Sequence, residues 1–421
     1  MTQSSEAADY DPFEEFDRAQ GAGRVRDPYP QWAALRRRGP VCETDARDLV
    51  QASKADGPVN DITPEGLRVF ATLSYDAVSQ VFRDGRTFSS SGYAQSMGVV
   101  MGRSILQMDA PEHSRYRDLI QRSFTRRSLA RWESELISPQ VGAYIDRFAG
   151  RGRADLVKEF TFPFPVTVIA HMMDLPEEDH DRFHRWVVEI TSFGFARERA
   201  MEASGRVAEY LEPIVEERRR NPGPDLISTL AEAELDGQRL TNEEIFAFLR
   251  LLGPAGAETT YRSLSNLLFG LLTNPAQLRA LQADRGLVQA AIEEGLRWEP
   301  PITGFMRIAT RDTEVCGVPI QAGAVVRTLV GSANRDETRW EKPERFDIFR
   351  PPKPHLAFAL GPHRCLGMHL AMAEMRIGLN ALLDRLPHLR LDPQAHDVHI
   401  TGEIFRAPRS LPVLFDAESP I

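Results

Sequence analysis

The stretch from residue 241 to 274 most constrains the fold. Thr241 and Glu244 have the spacing of a capping box, and Ile245, Leu249, Leu252, Leu264, Leu268 and Leu271 carry an apolar pattern to Asn274-Pro275. One helix this long and this apolar has to be mostly buried, which requires a large helical body around it. Its middle breaks the helix rules with Gly253, Pro254 and Gly256, immediately before Glu258-Thr259-Thr260. Proline deletes a backbone hydrogen bond and glycine weakens the interior, so a local kink or groove is expected where an acid and an alcohol are presented. Taken alone, a tolerated kink with Thr259 bonded to a carbonyl and Glu258 in solvent explains the segment equally well.

A second stretch, F-A-L-G-P-H-R-C-L-G over residues 358–367, presents Cys365 at the mouth of an apolar helix expected over 365–386. At a helix N-terminus the macrodipole and free N–H groups favour an anion, which lowers a thiol's pKa and suits thiolate ligation of haem iron. Gly361 and Gly367 permit a tight turn and close approach of a flat cofactor, and Phe358 is placed to shield the sulfur. A thiolate axial ligand favours O–O cleavage at haem iron. An isolated cysteine is more often an ordinary buried thiol, so the reading depends on what accompanies it.

Two further motifs accompany it. Glu294 and Arg297 lie three apart on one helix face before Pro300-Pro301, and Pro343-Glu344-Arg345-Phe346 follows. A solvated pair of this kind is worth little, typically under about 1 kcal/mol. In this order and spacing, however, the four elements resemble those of a cytochrome P-450, a haem-thiolate monooxygenase of the soluble bacterial kind, across roughly residues 25 to 415. The family's cysteine loop is matched by Phe358, Gly361, His363, Cys365 and Gly367. Its acid-alcohol pair is matched by Ala255, Gly256, Glu258 and Thr259, and its E-x-x-R pair by Glu294 and Arg297 with Arg345 as third member.

The resemblance implies haem b with Cys365 as axial iron ligand, and a catalytic pair in which Thr259 holds oxygen and its water while Glu258 helps deliver protons. It also implies partners for the haem carboxylates: His113 and Arg117, four apart on one helix face, Arg307 from a strand, and His363. Leu251, Pro254, Ala255, Ile302, Thr303, Phe305, Ile404 and Phe405 are expected to line the substrate pocket, capped by the 89–101 loop. Their apolar character points to a hydrophobic small molecule such as a terpenoid, steroid, fatty acid or aromatic compound.

The chain's 421 residues contain no linker, repeat or low-complexity run between 25 and 415, which favours one large domain over two or three. The expected fold class is mainly α with small β-sheets, enclosing haem. Helices are expected at 75–83, 113–124, 131–148, 176–190, 196–220 and 287–298 besides the two above, and strands within 25–41, 67–74, 315–328 and 411–415. Residues 1–24 read as a flexible acidic N-terminal arm, 25–421 as the haem-thiolate domain, and 45–64 as a polar surface insertion.

No stretch approaches the ~20 apolar residues that cross a bilayer, and the N-terminus lacks the shape of a signal peptide, so the expectation is a cytoplasmic protein without a membrane anchor. Cys42, Cys316 and Cys365 are too few and scattered for a disulfide framework, a zinc site or an iron–sulfur cluster. With no flavin or nicotinamide signature either, electrons have to come from separate proteins, in the family usually a ferredoxin and its NAD(P)H-dependent reductase. The net charge of -9 argues against nucleic acid, yet Arg115, Arg122, Arg126, Arg127 and Arg364 form a basic cluster suited to an acidic ferredoxin. Dioxygen is the expected co-substrate. A haem-thiolate protein that binds or senses a ligand without turnover has no need of Glu258 and Thr259, and a peroxide-driven oxygenase is the other alternative.

Overall fold

The computed structural model describes residues 10–19, 25–44 and 67–417, so the 45–64 insertion lies outside the described residues. Helices dominate and surround the long helix, which runs unbroken from Asn242 to Thr273 through Pro254. The capping box is formed as expected: the Thr241 side chain accepts from the Glu244 N–H, and the Glu244 carboxylate accepts from the Thr241 N–H. Leu264, Leu267, Leu268 and Leu271 are fully buried, each worth roughly 1.5–3 kcal/mol relative to exposure.

The glycines of this helix have a different use from the expected kink. A Cβ at Gly253 would lie 2.6 Å from Val187 Cγ2, and one at Gly256 2.7 Å from Ile169 Cδ1. Two helices, His180–Thr191 and Pro163–Met172, therefore approach the long helix more closely than any larger residue would allow. Pro163–Met172 went unpredicted because it is buried on all sides, which leaves no amphipathic period to read.

The main sheet has five strands in the order Val41–Thr44, Val69–Thr72, Val325–Thr328, Phe305–Ala309 and Phe88–Ser89. Val325–Thr328 pairs parallel with Val69–Thr72, and the other neighbours are antiparallel. The expected strand within 25–41 is instead the helix Tyr29–Arg38, since Pro28 and Pro30 start a helix and Trp32 packs with Tyr29. Strand begins only at Val41. The expected 131–148 helix is observed as Arg126–Trp132, a wider turn at Glu133–Ile137 and Ser138–Asp146.

Within the expected N-terminal arm, Pro12–Ala19 forms a docked helix rather than loose chain. Phe16 is buried against Phe195 and Phe405, Phe13 packs on Phe162 and His184, and Glu15 pairs with Arg199 at 2.7 Å. Acidic composition concealed two apolar residues three apart on one helix face. No helix among the described residues is long and apolar enough to cross a membrane.

Candidate active site

The cysteine loop is fixed by its own backbone. Cys365 N–H donates to the Phe358 carbonyl at 2.9 Å, and Gly361 turns the chain at φ +68° where a Cβ would collide with the Phe82 carbonyl. The helix starts at Met368, three residues later than expected, so that the backbone N–H groups of Gly367 and Met368 reach the sulfur. These donors, with Arg117 and Arg364, favour the thiolate. Burial is the larger influence and pushes the thiol up, contrary to the lowered pKa expected from the helix terminus alone. Cys365 is nonetheless accessible at its surface.

Four hydrogen-bonding and cationic groups gather near this loop. His113, only 2% exposed, stacks on His363 with ring centres 4.1 Å apart. Arg307 is buried from the central sheet, and Arg117 donates to the Arg364 carbonyl at 2.7 Å. Burial first, then repulsion within the group, pushes His363 down to about 3, and burial likewise lowers His113, Arg117 and Arg307. Neither arginine forms an ion pair with a carboxylate among the described residues, and His113 Nε2 has no hydrogen-bond partner there. Buried donors and cations of this kind require an anion. A flat group with two carboxylates fits this donor set, and a thiolate-bound iron fits Cys365.

Sequence reasoning missed three supports of this cluster. Ser90 Oγ lies 3.1 Å from His363 Nε2, Asp109 accepts the Ser90 N–H at 3.0 Å, and the Tyr93 hydroxyl accepts the Met306 N–H at 2.9 Å beside Arg307. Ser90 and Tyr93 sit in the 89–101 region, which forms the short turns Ser91–Gln95 and Met97–Met101 against the sheet and the Arg197–Arg220 helix, and Asp109 lies just beyond it. No spacing rule links them to Arg307, 198 to 217 residues away.

The Glu294–Arg297 pair is buried and bidentate, with both N–O distances 2.7 Å. Arg297 also donates to the carbonyls of Asn334, Pro343 and Arg345 at 3.1, 2.8 and 3.0 Å, tying the helix to the loop before the cysteine. The expected third member is corrected here: the Arg345 side chain is exposed and contributes only its carbonyl, while Arg350 reaches Glu294 at 3.4 Å. Arg350 carries no signal in sequence beyond being a nearby arginine.

On the long helix, Thr259 Oγ1 donates to the Ala255 carbonyl at 2.7 Å, on the face that exposes Ala255 to the interior. Glu258 is about 100° around the helix and faces elsewhere. It is 2% exposed, pairs with Arg262 at 3.2 Å, and lines a cavity of about 700 Å³ walled by the N-terminal helix. Burial pushes its carboxyl up, opposed by Arg262 and assisted by Asp17. Phe405, expected in the substrate pocket, lines this second cavity and packs on Phe16. Thr303 is buried with its hydroxyl bonded to the Glu403 carbonyl at 2.6 Å, which leaves it no role as a free polar contact.

The basic cluster is smaller than expected. Arg115 is paired with Asp236, whereas Arg122, Arg126, Arg127 and Arg364 are exposed without an ion pair among the described residues.

The family model described as Cytochrome P-450 matches residues 166–403. The chain is 34% identical to the cytochrome P-450 monooxygenase PikC of Streptomyces venezuelae, over 94% of this chain and 92% of that protein. It is 33% identical to the mycinamicin IV hydroxylase/epoxidase of Micromonospora griseorubida, over 85% of this chain and 92% of the relative. The solved structure of a cytochrome P-450 from Chondromyces apiculatus superposes with a TM-score of 0.82 at 34% identity, covering 96% of this chain and 98% of its own.

Proposed function

Since the chain belongs to the cytochrome P-450 family, and is therefore a monooxygenase that binds haem b, we propose that Cys365 is the axial ligand of the iron and that His113, Arg117, Arg307 and His363 hold the two carboxylates. Phe358 and Gly361 shape the loop that presents the thiolate. The observation that carries the assignment is the gathering of four donors, two of them buried and none in an ion pair with a carboxylate among the described residues, beside an accessible cysteine.

Haem, when bound, supplies the iron at which dioxygen is activated. The residues of this chain do the rest. Gly367 and Met368 N–H groups stabilise the sulfur's negative charge, and the arginine and histidine cluster neutralises the carboxylates as they leave water. Thr259 offers a hydroxyl on the interior face of the long helix to hold a water or oxygen. Glu258, whose carboxyl burial pushes up against the pull of Arg262, passes protons around the helix toward it.

The substrate is a hydrophobic small molecule held beside Leu251 and Ala255 of the long helix, and oxidised by hydroxylation or a related insertion of one oxygen atom. Electrons come from an acidic ferredoxin with an NAD(P)H-dependent reductase, docking on the exposed Arg122, Arg126, Arg127 and Arg364.

The test is the absorption spectrum of purified protein, reduced and exposed to carbon monoxide. A strongly red-shifted Soret band that is lost in Cys365→Ser is expected, together with spin-state shifts on adding hydrophobic compounds. Haem bound without that shift in the parent protein would overturn the ligand assignment.

A further inference from the structure

The cavity behind the long helix is walled on one side by the N-terminal helix, and a line of charges crosses it. Glu258 bonds Arg262 Nη2 at 3.2 Å, the same nitrogen lies 3.4 Å from Asp17 Oδ1, and Asp17 Oδ2 lies 3.9 Å from Arg409 Nε at the surface. Arg262 is 3% exposed and lies against the rings of Tyr261, Phe16 and Phe405, so its position is set by packing as well as charge. Its Nε is buried and has no hydrogen-bond acceptor among the described residues, although the side chain lines the cavity. Asp17 competes with Glu258 for one guanidinium nitrogen, and it stands on a helix held by independent contacts of Phe13, Glu15 and Phe16.

We propose that Asp17 is a positioning residue for oxygen activation: by sharing Arg262 with Glu258 it keeps that acid from being locked as a fully paired carboxylate, so that protons from the cavity pass through Glu258 toward Thr259. This rests on the reading of Glu258 as a proton donor. Each proton that leaves Glu258 toward the Thr259 face is replaced by one from water in the cavity, and no electron moves in the relay. The other charged or titratable groups around the cavity are Asp11 and Glu14 on the N-terminal side, Lys158, Arg409 and Tyr261. None of them bonds Glu258.

The test uses ferric holoenzyme variants and two readouts. In infrared spectra the protonated carboxyl band of Glu258 is identified by its loss in Glu258→Gln, and its titration midpoint is followed with pH. Asp17→Asn removes a negative charge that favours the protonated acid and turns Arg262 wholly to Glu258, so the midpoint moves to lower pH. Under turnover, the share of reductant ending as peroxide rises severalfold in Asp17→Asn and returns toward the parent value in Asp17→Glu. Glu15→Gln, on the same helix but paired with Arg199, leaves both readouts unchanged.

An unshifted midpoint with parent-like peroxide yield in Asp17→Asn overturns the proposal, provided Glu258→Gln is itself uncoupled. Equal effects from Glu15→Gln and Asp17→Asn also overturn it, because helix docking in general would then be the cause. Parent-like coupling in Glu258→Gln overturns the reading of Glu258 on which the proposal rests.

Discussion

Glu258 and Thr259 are adjacent in the chain yet open onto different spaces, the acid onto the cavity under the N-terminal helix and the alcohol onto the interior face beside Ala255. Their separation follows from the 100° step of the helix, and under the proposed function it divides the labour, the acid toward a proton supply and the alcohol toward the reacting oxygen. Thr259→Ala removes the hydroxyl with its bond to the Ala255 carbonyl and one methyl group, so haem content and the red-shifted carbon monoxide spectrum are expected to stay as in the parent. Reductant consumption should continue while product per reductant falls severalfold and peroxide rises. Full coupling in this variant would mean that protons reach oxygen by a route without Thr259. The same kind of side-chain logic made Arg350 rather than Arg345 the partner of Glu294, a choice set by where the loop turns after Phe346.

Among the elements, the His180–Thr191 helix shows how packing fixes chemistry away from the site. His184 lies between the rings of Phe13 and Phe162, 4.8 and 4.6 Å away, and burial pushes its pKa down to about 3. The sign follows from proton uptake. Between pH 6.5 and 3 the unfolded chain protonates this histidine while the folded one does not, so its contribution to stability is complete above about 6.5 and is lost as pH falls. At 1.36 kcal/mol per unit, acidification from pH 6.5 to 5 costs about 2 kcal/mol through this residue. His184→Phe keeps a ring in place and removes the titration. Denaturant midpoints at the two pH values should therefore differ less in the variant than in the parent, and an equal difference would show that His184 does not carry the slope. The long helix makes a related point: Gly253 and Gly256 read as breakers in sequence, but they serve as the contact surface for two neighbouring helices.

For the whole molecule, the net charge of -9 coexists with exposed, unpaired arginines at 122, 126, 127 and 364. An acidic ferredoxin would be steered there at low ionic strength, where the Debye length exceeds ~10 Å. Reversing Arg122 and Arg126 to Glu together should lower ferredoxin-driven kcat/KM by roughly tenfold at low salt, with the gap closing as salt rises. Turnover driven by added peroxide should be unaffected; an unchanged ferredoxin rate and salt slope would place the docking face elsewhere. The sequence by itself determined the long capped helix, the mainly helical class and the pairing of Glu294 with Arg297, while the cysteine loop and the group of His113, Arg117, Arg307 and His363 were read through the family resemblance. Each of these is encoded by local spacing, by helical periodicity or by an ordered set of motifs. Only the tertiary structure decided which face Glu258 presents, that Pro12–Ala19 docks as a helix over it, that Phe405 and Asp17 belong to the same cavity, and that burial outweighs the helix terminus at the Cys365 thiol. Those outcomes depend on contacts between segments hundreds of residues apart and on desolvation, neither of which leaves a pattern in the order of the residues.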